Sequence, residues 1–238
     1  MERTYYVRTE VPGAGHVLVA VTVSDEPWKG DLAVTGPEAV TPRRITDAAR
    51  RKTGLPLLIG ETERLILREL SEEDLPAVKA LKLQESETEL LGASAGQLCD
   101  AAFLRSYIRN QYPLFGFGLW GVFLKKDRED APYGSEKSAA QLIGLAGFGM
   151  PEEEAGQEKS QEEGQEKDQE EPPELGYYIA PEFRRMGYAE EACRLCLLYA
   201  KEELGLEEVL LRIRAENRAS LMLGRKLMQE KNVRLVMI

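Results

Sequence analysis

The residues best suited to chemistry lie in one short basic turn. Arg184 and Arg185 are followed by Gly187 and Ala189, directly after an apolar, strand-like run that ends at Ala180. A helical pattern of apolar residues begins where the turn ends. The free backbone N–H groups at a helix N-terminus bind anions, phosphate above all, and arginine side chains add charge and forked donors. We therefore predict that this turn binds a phosphate group.

The glycine meets a second requirement of such a turn. A residue without a Cβ lets the backbone approach a phosphate closely, and a small residue at position 189 leaves the first helical turn uncrowded. The turn follows the pattern R/Q-x-x-G-x-G/A between a strand and a helix. For the hexapeptide alone, a charged surface turn before an ordinary helix is the competing interpretation.

Two other motifs do not predict chemistry. Cys193 and Cys196 have the C-x-x-C spacing of redox and zinc sites, but they fall inside a helical pattern, and the chain has one histidine. We predict that both cysteines pack in the core and that the protein holds no metal. Gly116, Gly118 and Gly121 satisfy G-x-G-x-x-G but begin a strand rather than a helix, which argues against a dinucleotide loop.

Hydrophobic periodicity predicts the elements that position the turn. From Glu63 onward the order is β-α-α-β-β-β-α-β-α-β, which indicates a mixed α/β sheet with helices on both faces. Gly144, Gly147 and Gly149 fall within one strand and predict a bulge or a close backbone contact. The predicted strands are 64–70, 115–125, 141–149, 175–180, 208–214 and 233–238, and the predicted helices are 71–84, 96–113, 189–204 and 217–228.

Residues 1–60 predict a small separate α/β unit. Its elements are strands at 16–23 and 32–35 and a helix at 41–52, which Thr41 caps and Gly54 ends. A unit of this size is marginal by itself, so we expect it to pack on the rest of the chain.

The charge distribution argues against several classes of partner. The net charge of -10 comes mostly from residues 152–171, which hold ten acidic side chains and two lysines. The remainder has no basic stripe, so we expect no nucleic-acid binding. Because the chain lacks a long apolar run and a signal-peptide pattern, we expect no membrane contact and a cytoplasmic location. Residues 151–173 are of low complexity and predict a disordered acidic insertion.

Residues 61–228 resemble the GNAT N-acetyltransferase superfamily. The likeness rests on ERLILREL at 63–70 with Asp74, LIGLAGF at 142–148, ELGYYIAPEFRRMGYAEEA at 174–192 and NRAS at 217–220. Within the superfamily, these four segments are most similar to those of the branch that includes ribosomal-protein N-terminal acetyltransferases. The resemblance implies a GNAT fold over 61–238, a mixed and mostly antiparallel sheet with helices on both faces, preceded by a small N-terminal α/β extension that matches nothing in the family core.

The resemblance also implies an acyltransferase that uses acetyl-CoA as cosubstrate. It would pass the acetyl group directly to a primary amine, on a small molecule or at a protein N-terminus. Ser220 is the candidate general acid, and Glu174 is the candidate general base, acting through a water. The implied cofactor-binding residues are Tyr178 and Ile179 beside the pantetheine and thioester, Arg184, Arg185, Met186, Gly187, Tyr188 and Ala189 at the pyrophosphate, and Asn217 at the pantetheine.

Two departures from the family leave alternatives open. Many relatives carry a tyrosine seven residues after the asparagine, where this chain has Gly224, so the alternative function is a regulatory CoA-binding module with a degenerate active site. Where relatives have a final hairpin, this chain has room for one strand. The acceptor side would then be open, completed by a partner as in a homodimer, or degraded. Asn217 could also be a plain helix cap and Glu174 an ordinary strand-end carboxylate.

Overall fold

The computed structural model describes residues 3–24, 30–83, 91, 95–125, 140–150, 171–229 and 232–238. Residues 151–170 of the predicted acidic insertion lie outside the described residues. The expected end of the first GNAT-domain helix, at position 84, also lies outside them. Within the described part of the chain, no helix is both long enough and apolar enough to cross a membrane.

The N-terminal residues form a three-stranded sheet covered by one helix. Strands β1 (Arg3–Val11) and β2 (Gly15–Val23) make an antiparallel hairpin, β3 (Leu32–Val34) pairs parallel to β2, and α1 (Pro42–Lys52) packs on them. The predictions of β2, β3 and α1 are confirmed. The sequence did not predict β1, an edge strand whose residues are mostly exposed. A separate apolar cluster forms its core: Val11, Val17, Val19, Val21, Val34, Ala48 and Ala49.

A seven-stranded sheet forms the larger part of the protein. Its neighbours are antiparallel from β4 to β8 and parallel from β8 to β10, in the spatial order β10-β9-β8-β7-β6-β5-β4. The predicted mixed, mostly antiparallel sheet is confirmed, with β4 as an additional edge strand. The strands are β4 (Leu58–Glu61), β5 (Leu65–Arg68), β6 (Leu119–Leu124), β7 (Gln141–Gly149), β8 (Glu174–Ile179), β9 (Val209–Ile213) and β10 (Val233–Met237).

Helices cover both faces of this sheet. The Tyr178 hydroxyl of β8 donates to Leu81 at the end of one helix, whereas its neighbour Tyr177 lies beside Cys193 of another. Because successive strand residues point to opposite faces, these two helices lie on opposite faces. The helices are α2 (Leu75–Ala80), α3 (Ala101–Phe115), α4 (Tyr188–Glu202) and α5 (Arg218–Leu227).

Helix α3 corrects the expectation that Pro113 ends it. The helix continues to Phe115 and stops at Gly116, a left-handed residue whose N–H donates to the Tyr112 carbonyl at 2.9 Å. A proline in the last turn costs one backbone hydrogen bond, whereas a glycine with positive φ is the more usual helix terminator.

Helix α4 carries both cysteines of the C-x-x-C pair on its inner face. Cys193 and Cys196 are free thiols and fully buried, and Tyr199 on the same face packs edge-on against Trp120 at 5.2 Å between ring centroids. Burial raises the pKa of both thiols, so they stay protonated. The predicted packing role is confirmed.

The N-terminal unit contacts the larger sheet through a buried carboxylate. Arg51 of α1 donates to one oxygen of Glu69 at 3.0 and 2.7 Å, and the Leu57 N–H donates to the other oxygen at 3.1 Å. Arg43 pairs with Glu203 after α4 at 2.6 Å. A buried carboxylate with two partners is costly to leave unpaired, so these contacts hold α1 against the larger unit.

A second paired carboxylate fixes the start of α2. Arg68 binds both oxygens of Asp74 at 2.8 Å, and the Ser71 N–H donates to the same carboxylate at 2.7 Å. Burial alone would raise the pKa of Asp74, but the hydrogen bonds from Arg68 and Ser71 and the arginine charge outweigh burial and lower it.

Asp74→Asn should therefore destabilise the protein at pH 7 by about 1–3 kcal/mol. A carboxyl whose folded pKa is depressed contributes stability above its unfolded pKa of about 3.9 and loses it as the pH falls. The difference between wild type and variant, measured by urea unfolding, should shrink below about pH 4. Glu72→Gln is the control, because its ion pair with Arg105 is exposed on both sides and should contribute under about 1 kcal/mol. An Asp74→Asn effect independent of pH would contradict this account.

Candidate active site

The centre of the large sheet opens between β8 and β9. These two parallel strands have a single pair among the described residues, Glu174 opposite Leu210, where the Leu210 N–H donates to the Pro173 carbonyl at 2.9 Å. On its other side β8 pairs with β7 along its whole length. The pairing of β8 and β9 thus stops after one position, which leaves a gap toward the C-terminal end of β8.

Unpaired peptide groups line this gap. Ala180 donates to Ile143 of β7, whereas Pro173 accepts from β9. Peptide groups of a strand alternate in direction, so those of Tyr177 and Ile179 face β9, whereas those of Tyr178, which was predicted beside the pantetheine, face β7. The Tyr177 and Ile179 N–H groups and the Tyr177 carbonyl have no ladder partner among the described residues, while the Ile179 carbonyl accepts from Arg184 Nε at 2.7 Å. The β8 side of the gap therefore offers donors and an acceptor to an extended ligand.

The gap leads to the predicted turn at the start of α4. Gly187 is the N-cap with φ 87° and makes no side-chain cap, so the N–H groups of Tyr188, Ala189 and Glu190 have no acceptor among the described residues. Arg185 also has a positive φ of 66°. The free donors carry the positive end of the helix dipole, so the turn has the arrangement that binds an anion.

The two arginines of the turn differ in their contacts. The guanidinium of Arg184 lies 5.4 Å from the centre of the Tyr178 ring in addition to its bond to the Ile179 carbonyl. The exposed Arg185 has no ion-pair partner in the described part of the chain, and Met186 beside it is 52% exposed. Arg184 thus joins the turn to β8, and Arg185 remains available to a ligand.

Helix α5 borders the gap from the same face as α4. Asn217 caps it by accepting from the Ser220 N–H at 3.1 Å, which is the structural role considered for Asn217 and leaves its side-chain amide free to donate. The Tyr177 hydroxyl lies beside Ser220. This hydroxyl is buried and makes no hydrogen bond of normal geometry to a described residue. Burial raises the pKa of Tyr177, so its hydroxyl stays a proton donor.

A family model described as an acetyltransferase (GNAT) domain matches residues 64–227. This protein belongs to the GNAT acetyltransferase family. It is therefore an acyltransferase, and the resemblance seen in the sequence is confirmed.

Solved GNAT structures are similar at low identity. An acetyltransferase from Agrobacterium tumefaciens is 22% identical, with 72% of this chain and 81% of that chain covered and a TM-score of 0.46. A GNAT-family acetyltransferase from Bordetella pertussis is 22% identical, with 72% and 86% covered and a TM-score of 0.48. RimJ from Mycobacterium smegmatis, in complex with CoA-disulfide, is 14% identical, with 68% of each chain covered and a TM-score of 0.44.

Position 224, where the resemblance would place a tyrosine, is crowded by side chains of the sheet. A Cβ on Gly224 would lie 2.9 Å from Ile213 Cδ1 and 3.1 Å from Leu235 Cδ1. The residue therefore faces the core side of β9 and β10. A larger side chain here would require these side-chain ends to move aside.

Glu174, the predicted base, lies at the closed end of the gap. Its Oε2 is 3.7 Å from Nε of Arg212 on β9, beside the single pair of the two strands. This ion pair supports the structural alternative, a carboxylate that joins β8 to β9. The catalytic role of Glu174 stays a prediction, as do the cofactor contacts of the turn. Tyr177 was not among the predicted site residues, because nothing in the sequence relates it to Ser220.

Proposed function

We propose that the protein transfers an acetyl group from acetyl-CoA directly to a primary amine. The observation that carries this proposal is the gap between β8 and β9, whose unpaired peptide groups lead to the free N–H groups at the start of α4. An extended chain of amides ending in a pyrophosphate fits such a site, because the gap offers donors and acceptors and the helix start offers an anion site.

The residues present fit acetyl-CoA, which supplies an activated acetyl thioester. The N–H groups of Tyr188 and Ala189 would hold the pyrophosphate together with Arg185. The peptide groups of Tyr177 and Ile179 would bind the pantetheine amides from one side. The side-chain amide of Asn217 would donate to the pantetheine from the other side, while its oxygen continues to cap α5.

The reaction requires two proton movements that the chain's own groups must support. The amine must be neutral when its nitrogen bonds the acetyl carbon and must then lose a proton, which Glu174 would accept through a water. As the carbon–sulfur bond breaks, the departing sulfur must gain a proton, which the Ser220 hydroxyl would donate. Tyr177, beside Ser220, would orient that hydroxyl, and Ser220 would regain its proton from water after the thiol departs.

The acceptor is a primary amine, either a protein α-amine or a small molecule. We place the reaction in the cytoplasm, since the described cysteines are free thiols, as in reducing compartments.

The proposal is tested first by calorimetric titration with CoA and then by following CoA release from acetyl-CoA with a panel of amines and N-terminal peptides. We expect micromolar to submicromolar binding and turnover with at least one acceptor class. No binding at millimolar CoA would overturn the proposal, and binding without turnover on any amine would favour the regulatory CoA-binding module.

Ser220→Ala should lower kcat about 10²-fold while leaving the KM for acetyl-CoA unchanged, because the hydroxyl would act on the departing sulfur only. Tyr177→Phe should give a smaller loss on its own and little further loss in the Ser220→Ala background, since the two hydroxyls would act as a unit. Independent, additive losses would contradict the coupling of Tyr177 to Ser220.

A further inference from the structure

We infer that Arg64 is a positioning residue for the phosphate-binding turn: it anchors the turn by its backbone and neutralises a carboxylate in the first turn of α4. This inference rests on the proposed function, and no motif or comparison above assigns Arg64 a role. The residue lies just before β5, more than a hundred positions away in the sequence from the residues it contacts.

Three groups of the turn and helix surround the Arg64 guanidinium. Its Nη1 donates to the Met186 carbonyl at 3.0 Å, and its Nε and Nη2 donate to Glu191 Oε1 at 2.9 and 2.7 Å. The guanidinium also lies 4.6 Å from the centre of the Tyr188 ring, within the range of a cation–π interaction. Arg64 thus contacts the residues on both sides of Gly187.

The bond to Met186 bears on the direction of the free donors. The Met186 carbonyl and the Gly187 N–H belong to the same planar peptide group. A hydrogen bond to that carbonyl therefore also fixes the direction of the Gly187 N–H. The next peptide groups begin α4. Holding the Met186 carbonyl therefore fixes the orientation of the peptide that precedes the anion-binding N–H groups.

The bond to Glu191 bears on the charge of the site. Helix α4 begins with two acidic residues, Glu190 and Glu191, and carboxylates there would repel a bound pyrophosphate. Glu190 is paired with Lys226 at 2.8 Å and Arg194 at 3.3 Å. Glu191 is paired with Arg64 and accepts from the Thr62 hydroxyl at 3.2 Å. With both carboxylates neutralised, the positive end of the helix dipole remains available to the ligand.

The experiment compares Arg64→Met with Arg64→Lys and with the double variant Arg64→Met/Glu191→Gln. Two probes are used: CoA in calorimetry, and acetyl-pantetheine, which lacks all phosphates, in steady-state kinetics. We expect Arg64→Met to weaken CoA binding about tenfold to fiftyfold and to leave kcat/KM for acetyl-pantetheine within about twofold of wild type. The double variant also lacks the carboxylate that Arg64→Met leaves unpaired. It should therefore regain part of the lost CoA affinity, because only the hydrogen bond to the Met186 carbonyl is then missing. Arg64→Lys should restore the charge but not the forked donors. Its affinity for CoA should therefore lie between those of Arg64→Met and the wild type.

Arg105→Met is the matched control, since it also removes an arginine from an exposed ion pair, here the pair that joins α3 to Glu72 after β5. It should leave both probes unchanged. Equal losses with CoA and acetyl-pantetheine in Arg64→Met would overturn the inference, because they would indicate a general structural role, and so would unchanged CoA binding. Failure of the wild-type protein to bind CoA would instead overturn the proposed function, so the two failures are distinguishable.

Discussion

Gly187→Glu is expected to weaken CoA binding at least about 100-fold while the protein stays folded. Gly187 has φ 87°, and a Cβ there would lie 3.3 Å from Arg64 Nη2 at the mouth of the turn. A glutamate side chain would place a negative charge next to the free N–H groups of Tyr188 and Ala189. The new carboxylate would both compete with the pyrophosphate for these donors and repel it. Calorimetric titration with CoA measures the loss.

Backbone strain must be separated from the effect on the anion site. Gly205 also has a positive φ, 65°, and an added Cβ there would meet nothing within 4 Å. It lies beyond the opposite end of the same helix, so Gly205→Glu introduces similar strain and the same charge away from the turn. We expect Gly205→Glu to bind CoA as wild type does, and Gly187→Gln to bind more tightly than Gly187→Glu. Equal weakening by the glutamates at positions 187 and 205 would contradict an anion site at the turn.

Gly147→Ala is expected to have the largest effect on folding, a loss of about 3 kcal/mol or more. A Cβ at Gly147 would overlap the Gly118 carbonyl oxygen and lie 2.9 Å from the Gly118 carbonyl carbon and 3.0 Å from Leu119 Cα. These are backbone atoms of the adjacent strand segment, so they cannot move aside as the end of a side chain can. Urea unfolding measures the change in free energy, or loss of soluble protein if the variant does not fold.

Gly149→Ala is the matched control in the same strand. Nothing lies within 4 Å of a Cβ at Gly149, so this variant should stay within about 0.5 kcal/mol of wild type. Similar destabilisation by both alanines would mean that β7 is sensitive to any glycine replacement, and the close backbone contact at Gly147 would not be its cause.

Local signals in the sequence predicted most of the element order. The apolar run and its glycines predicted a strand at 141–149 with a bulge or close backbone contacts. The strand, the bulge opposite Val122 and Phe123, and the close contacts at Gly144 and Gly147 are confirmed, whereas a Cβ at Gly149 would meet nothing within 4 Å. The ends of α1 were predicted from Thr41 and Gly54, because capping residues act within one turn of the helix they end. The turn after β8 was found because strand, glycine and helix start are adjacent in the chain.

What escaped prediction depends on partners that are distant in the sequence. β4 is a short edge strand that forms by pairing with β5. No strand was predicted at these positions, most of which were assigned to the preceding unit. The contacts of Arg64 with Glu191, and of Tyr177 with Ser220, join residues from different elements. Only tertiary packing brings such residues together, and one sequence without relatives carries no signal for it.

The opening between β8 and β9 has a consequence for discrimination among cellular phosphate compounds. Within the described residues the large sheet has inner edges as well as its outer edges at β4 and β10, and unpaired inner edges are unfavourable unless something bonds to them. A nucleotide such as ADP would bind the free N–H groups at the start of α4 but leave the unpaired peptide groups of the inner edges without hydrogen-bond partners. A ligand that carries amides on an extended arm satisfies both. The sheet itself, rather than a dedicated adenine pocket, would then distinguish a coenzyme thioester from the more abundant nucleotides.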